Sequence, residues 1–416
     1  MNADRLKGVR IFFSITVNFM ALISDQALFP HSKNVNFQAF CSVSPLSKPA
    51  AERVKFVTER QLQVGRGFIF EFTGEDNIAD RFHRNFGQLL KTSPDNISML
   101  TNTSEGISMV ANGYPFEPGD QIISYVNEYP ANHYPWVVQA KRRGVELVLL
   151  SDSAIPQQEG EGAGPIPETM AKGWSMEELE SRVTDRTRII ALSYVQFTNG
   201  YAADLPKLGA FCKSRGIDLV IDAAQGLGCL PIYPEEYGIS CLASAGWKWL
   251  LGPVGSGVMY TSPEFRKKIE ITMTGADHMK QNTEYLDHTW DPFPTGQKFE
   301  YSTVTYSTLD GLSVGLETLF LPHSMEAIRD HNFGLQDLAL QQLDFSKYQP
   351  VLHLPEHRSG ILSLIPKVSN AKEISAALDQ DNIIVTPRDG YLRFAPHICS
   401  TQDEVTQAVE ALNRIT

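Results

Sequence analysis

The chain has 416 residues, 42% of them hydrophobic and 20% charged, which allows a sizeable core and two or three structural units at roughly 150 residues each. A formal charge of −12 argues against non-specific nucleic-acid binding, which depends on Lys and Arg neutralising phosphates. Five cysteines (Cys41, Cys212, Cys229, Cys241 and Cys399) include no Cys-x-x-Cys pair, so they read as reduced, mostly buried thiols of a cytoplasmic protein, and no metal site is assigned.

At the N-terminus, Lys7 and Arg10 precede an apolar run from Ile11 to Ile23 that resembles a secretory signal. No small-x-small cleavage site follows, and the run falls short of the ~20 residues that cross a bilayer. Residues 1–28 are therefore read as a disordered extension, with Met20 as an alternative start, and no membrane partner is expected. The chain then alternates strands and helices: a strand end at Asn96–Leu100, a helix over Ser104–Asn112, a strand at Gln121–Tyr125, a helix over Ala131–Arg143 and a strand at Glu146–Leu150. Gln157–Pro167, rich in Gly, Glu and Pro, is an exposed loop. Strands at Arg188–Val195 and Leu219–Ile221 flank a helix at Leu205–Arg215. This order implies βαβ units and a mostly parallel sheet covered by helices. After about Asp310 the texture becomes α+β. Helices are expected over Leu309–Phe320, near Met325–Leu343 and over Thr401–Arg414, and the segments Gly360–Pro366, Ala371–Leu378, Ile383–Thr386 and Tyr391–Phe394 complete an α+β pattern. Val405, Val409 and Leu412 should form the buried stripe of the final helix. The expected organisation is a large α/β domain over 29–305, with an N-terminal arm that joins the small domain, and a smaller α+β domain over 306–416.

Two stretches carry the chemistry. Leu219-Val-Ile-Asp-Ala-Ala-Gln225 ends a strand on Asp222, at the sheet edge where open α/β folds bind ligands. Ala245-Gly-Trp-Lys-Trp-Leu-Leu-Gly252 sets Lys248 between aromatic and apolar neighbours, where desolvation lowers an ammonium pKa and makes the amine a nucleophile. Taken singly, a strand-end Asp is more often a cap or ion-pair partner, and a Lys between two Trp residues a snorkelling side chain. Gly-Pro-Val-Gly-Ser-Gly257 is not the order of a dinucleotide loop. Upstream, Thr101-Asn-Thr-Ser-Glu105 turns a strand into a helix, whose N-terminal amides make an anion site; taken alone this is an ordinary helix cap.

Together these segments resemble the class V aminotransferase family over roughly residues 29–415. The resemblance implies a fold type I enzyme that uses pyridoxal 5′-phosphate (PLP), with Lys248 as its Schiff-base lysine. It implies that Asp222 pairs with the pyridine nitrogen, that Gln225 bonds the ring hydroxyl, and that Ser104 and Glu105 hold the phosphate. Tyr129 is the stacking ring, although register with relatives carrying two consecutive histidines points to Pro130. Thr303, in Phe299-Glu-Tyr-Ser-Thr303, matches a hydroxyl donor to the other subunit's phosphate, which implies a homodimer with shared active sites. In Thr386-Pro-Arg-Asp-Gly-Tyr-Leu-Arg393, Arg393 matches the residue for the α-carboxylate of an amino-acid substrate, and Arg388 is a weaker second candidate. Two departures stand out. Trp247 precedes the lysine where many relatives have His, and there is no room before Arg393 for the cysteine-bearing loop of cysteine desulfurases. Transamination or C–S (β-elimination) lyase chemistry is expected, with epimerisation as the alternative; a desulfurase or a non-catalytic PLP-fold protein ranks lower.

Overall fold

The computed structural model describes residues 22–23, 25–153, 155–281 and 284–416. The signal-like segment from Lys7 lies outside them apart from Leu22 and Ile23. Among the described residues, no helix is long and apolar enough to cross a membrane.

A seven-stranded sheet organises the larger part of the molecule. Its strands are β1 (Ile97–Leu100), β2 (Gln121–Tyr125), β3 (Glu146–Leu150), β4 (Thr187–Ser193), β5 (Asp218–Asp222), β6 (Cys241–Ala245) and β7 (Gly257–Thr261). They lie in the order β1-β7-β6-β5-β4-β2-β3, and every pairing is parallel except those made by β7. The central strands are apolar on both faces, as a sheet covered on both sides requires. Alternation divides their side chains: Ile189, Ala191 and Val220 enter one core, while Ile190, Leu192, Leu219 and Ile221 enter the other. β6 and β7, which flank Lys248, were not expected as strands. β6 is short and mostly Ala and Ser, and Gly257 at the start of β7, with Gly255 just before it, disguises that strand.

Helices α1 (Lys48–Val64), α2 (Ile78–Leu90), α3 (Thr103–Gly113) and α4 (Tyr306–Leu319) follow in chain order. α1, α2 and α4 pack together, and the buried Asp310 of α4 accepts from Arg53 of α1 and, at 2.8 Å, from Arg81 of α2. Paired charges make such burial tolerable. The helix expected from Ala131 begins at Tyr134, because Tyr129 is extended and Pro130–Asn132 form a single 3-10 turn.

The smaller C-terminal domain carries a four-stranded antiparallel sheet: β8 (Tyr348–Pro350), β9 (Leu362–Pro366), β10 (Thr386–Arg388) and β11 (Tyr391–Phe394), in the order β10-β11-β9-β8. It shares a core with α5 (Met325–Gln342), α6 (Ala371–Gln380) and α7 (Gln402–Arg414), where Val405, Val409 and Leu412 are buried as their spacing requires. The segment Ile383–Thr386 is divided between two strands. Ile383–Ile384 pairs in parallel with Asn36–Phe37 of the N-terminal arm, whereas Thr386–Arg388 joins β11. Ala39 bridges Ala395, so the arm lies against the small domain before the chain enters α1.

Candidate active site

The C-terminal ends of β4 and β5, the turn after β6 and the N-terminus of α3 surround a cavity of about 350 Å³. Asp222 stands at the end of β5. Its Oδ1 accepts the Ala224 amide at 2.9 Å. Burial raises its carboxyl above the ordinary carboxylate range, against the opposing pull of that amide and of Lys248.

Lys248 leaves β6 through a turn built by close approach. A Cβ on Gly246 would sit 2.7 Å from Leu312 of α4, and one on Gly252 2.5 Å from the same side chain. Glycine at both positions lets the lysine loop settle on that helix. Trp249, buried one residue on, donates its indole N–H to Gln225 Oε1 at 3.0 Å, and its carbonyl accepts from His397 at 2.7 Å. Lys248 Nζ lies 5.4 Å from the centre of the Tyr129 ring. Burial lowers its pKa, and the carboxylate of Asp222 offsets part of the effect. A buried amine with a lowered pKa spends more time unprotonated, which is the nucleophilic form.

Gln225 donates through Nε2 to the Cys41 carbonyl at 2.9 Å. A carboxamide has two N–H donors, so one remains for the cavity it lines. The arm therefore reaches this site from behind: Cys41 fixes Gln225, and the Ser44 amide donates to the Trp247 carbonyl at 3.0 Å.

At α3 the structure brings Ser104 to the cavity but not Glu105. Asn102 is the N-cap, and its Oδ1 accepts the Glu105 amide at 3.0 Å. The Glu105 carboxylate turns back to take the Thr101 amide and hydroxyl, both at 2.7 Å. Glu105 is thus consumed by its own cap, and Thr103 and Ser104 line the cavity instead. The Thr103 hydroxyl is buried without a partner. Thr103 stood inside the recognised Thr-Asn-Thr-Ser stretch, but only the identity of the cap separates it from Glu105.

Tyr129, Trp247, Ser193 and Phe197 complete the wall. Ser193 and Phe197 were not foreseen, and a lone Phe after a strand carries no sequence signal. Ser193 is held by Glu128, whose carboxylate accepts its amide at 2.8 Å, its hydroxyl, and Gln196 Nε2 at 3.0 Å. Arg393 lies behind Phe197 and donates to its carbonyl. It is 2% exposed, its Nε has no partner, and among the described residues it pairs with no carboxylate. Burial lowers its pKa. Arg388, on the neighbouring strand, is exposed. Thr303 is exposed too and stands outside the cavity of its own chain.

The profile of the aminotransferase class-V family matches residues 56–391. The chain belongs to that family. Class V aminotransferases are pyridoxal-phosphate enzymes, and this chain is an enzyme of that type. It is 22% identical over 394 residues to the uncharacterized aminotransferase YcbU of Bacillus subtilis, covering 92% of this chain and 95% of that protein. It is 27% identical to the cysteine desulfurase CsdA of Escherichia coli, covering 85% of this chain and 87% of that one. Its fold matches the structure of the cystine C–S lyase C-DES in complex with its product cysteine persulfide, with a TM-score of 0.80, 18% identity, and 93% and 99% of the two chains covered. The residues around the cavity of this class V chain fit the cofactor: an unpartnered buried hydroxyl at a helix N-terminus suits a phosphate, a buried carboxylate suits a protonated ring nitrogen, and the Lys248 amine suits a carbonyl.

Proposed function

We propose that this class V enzyme is a lyase that cleaves the bond between Cβ and sulfur in an amino acid and releases the sulfur product directly. The cofactor, when bound, supplies a carbonyl for the substrate amine and an electron sink for charge developing at Cα. Thr103 and Ser104 hold its phosphate, Asp222 keeps its ring nitrogen protonated, and Gln225 donates to the ring hydroxyl. Arg393 binds the α-carboxylate, a planar two-oxygen acceptor suited to guanidinium. Lys248, freed by the incoming amine, takes the proton from Cα, and the electron pair left there expels the sulfur substituent as a thiolate that takes up a proton. Water then yields pyruvate and ammonia.

One observation favours direct release over an enzyme-bound persulfide. β10 and β11 are joined by the two-residue turn Asp389-Gly390, both at positive φ, so no loop stands before Arg393 to carry a nucleophilic cysteine. All five cysteines are buried, and burial pushes the thiols of Cys229, Cys241 and Cys399 above their ordinary values. The similarity to C-DES supports the same choice. The motif match of Thr303, which is exposed and outside the cavity of its own chain, supports a homodimer in which it reaches the partner's phosphate.

The test is to incubate purified holoenzyme with sulfur-containing amino acids and with pairs of amino acids and keto acids. Pyruvate, ammonia and a released thiol or persulfide are expected. A keto acid formed only with a second keto acid as acceptor, and without ammonia, would replace this reading by transamination. A persulfide on one of the enzyme's own cysteines would replace it by sulfur relay.

A further inference from the structure

Arg388 and Arg393 belong to one hairpin. Arg393 stands opposite Thr386, and Arg388 opposite Tyr391. Residues opposite one another, and those two apart on a strand, share a face, so both guanidiniums leave the hairpin on the same side as diagonal neighbours, about 7–8 Å apart at the backbone. On that face Arg393 donates to the carbonyl of Phe197, which lines the cavity, while Tyr391 donates to the Ala171 carbonyl at 2.7 Å, outside the cavity. The Arg388 guanidinium lies 5.9 Å from the centre of the Phe197 ring. The Phe197 ring also meets the Tyr129 ring edge-to-face, with 5.2 Å between centres, so it neighbours both the outer arginine and the ring beside Lys248. Among the described residues, the Arg388 side chain makes no ion pair or hydrogen bond, and both arginines lie close enough to Lys248 to oppose its charge.

Two neighbouring guanidiniums repel each other, and among the described residues neither has an acid to offset it. A single monocarboxylate needs only the buried one. We infer that the pair reads a substrate with two carboxylates: Arg393 binds the α-carboxylate, and Arg388 binds a second one at the far end of a side chain that crosses Phe197. This rests on the amino-acid reading above and adds its substrate class, an amino acid whose side chain ends in a carboxylate or in a second amino-acid head.

The test uses holoenzyme and two acids that lack an amine, glutarate and butyrate, so that binding is read by calorimetry apart from turnover. Glutarate should bind the wild type at least about tenfold more tightly than butyrate, the worth of one charged hydrogen-bonded contact. Arg388→Gln should abolish that preference, and Arg388→Lys should keep part of it, with melting temperatures unchanged. Equal binding of the two acids by the wild type, while amino acids still change the visible spectrum, would overturn the second subsite and leave the amino-acid reading standing. Equal weakening of both acids in Arg388→Gln would make Arg388 a structural residue and overturn it as well. If neither acid binds and no amino acid changes the spectrum, both readings fall.

Discussion

Glu128 offers a quantitative test of how the wall of the site is held. Its carboxylate is almost fully buried and serves as acceptor to Ser193 and Gln196. Burial is the largest influence on it and pushes its pKa from 4.5 up to about 7, with the Ser193 bonds pulling the other way. The folded protein therefore holds this proton more tightly than the unfolded chain. The resulting stability is fully present below about 4.5 and is lost as pH rises through about 7. That gap corresponds to about 3 kcal/mol, most of it between pH 5 and pH 8. Glu128→Gln removes the titration and keeps the contacts, because Oε1 still accepts the Ser193 and Gln196 donors while Nε2 donates to a Ser193 hydroxyl that turns to accept. Urea unfolding of both proteins at the two pH values isolates the effect, since every other titrating group is common to them. The stability of Glu128→Gln relative to wild type should rise by about 2–3 kcal/mol between pH 5 and pH 8. Glu128→Ala, which strands three donors, should cost about 2–4 kcal/mol at pH 5. A wild-type-to-Gln difference that does not change with pH would refute the reasoning.

Borohydride should bleach the visible absorbance of the holoenzyme and label the peptide that contains Lys248, and Lys248→Ala should show neither; a labelled cofactor in that variant would move the attachment elsewhere. Asp222→Ala should retain some cofactor yet lose turnover by several orders of magnitude, each ~1.36 kcal/mol of transition-state stabilisation being tenfold in rate; steady-state kinetics at saturating cofactor decides this, and near-normal turnover would misplace the carboxylate. Thr103→Val removes an unpartnered buried hydroxyl, so the apoenzyme should gain about 1 kcal/mol while cofactor affinity falls roughly tenfold. Thermal melts and cofactor titration measure the two together, and unchanged affinity would take Thr103 out of the phosphate site.

The sequence was most legible where local pattern and chemistry coincide. The apolar run ending in Asp222 could only be a central strand, and Lys248 among aromatic residues announced a lowered pKa before its surroundings were known. Arg393 was placed by motif, and the structure adds that it lacks an acid partner. Features set by distant contacts were hidden. Whether Thr103 or Glu105 faces the cavity turns on which residue caps α3, and Asn102, Thr103 and Ser104 are all competent caps by composition. Phe197 and Ser193 owe their places to the end of β4, and Cys41 touches the site through its backbone carbonyl, which any residue could supply. β6 went unread because Cys241–Ala245 is short and mostly Ala and Ser, a pattern without a strand signal of its own.

The N-terminal arm bears on how the protein comes into being. Asn36 pairs with Ile383, and Ala39 with Ala395, partners separated by nearly the whole chain, while Cys41 and Ser44 of the same segment hold Gln225 and Trp247. During synthesis the large sheet can assemble while the arm still waits for a partner not yet made, since contacts this remote in sequence form late. The floor beneath the cofactor is fastened only after the last strands have emerged. A nascent chain would thus bind pyridoxal phosphate weakly until it is complete, and a copy truncated before Ile383 would fail to hold cofactor even though every residue of the cavity had been translated.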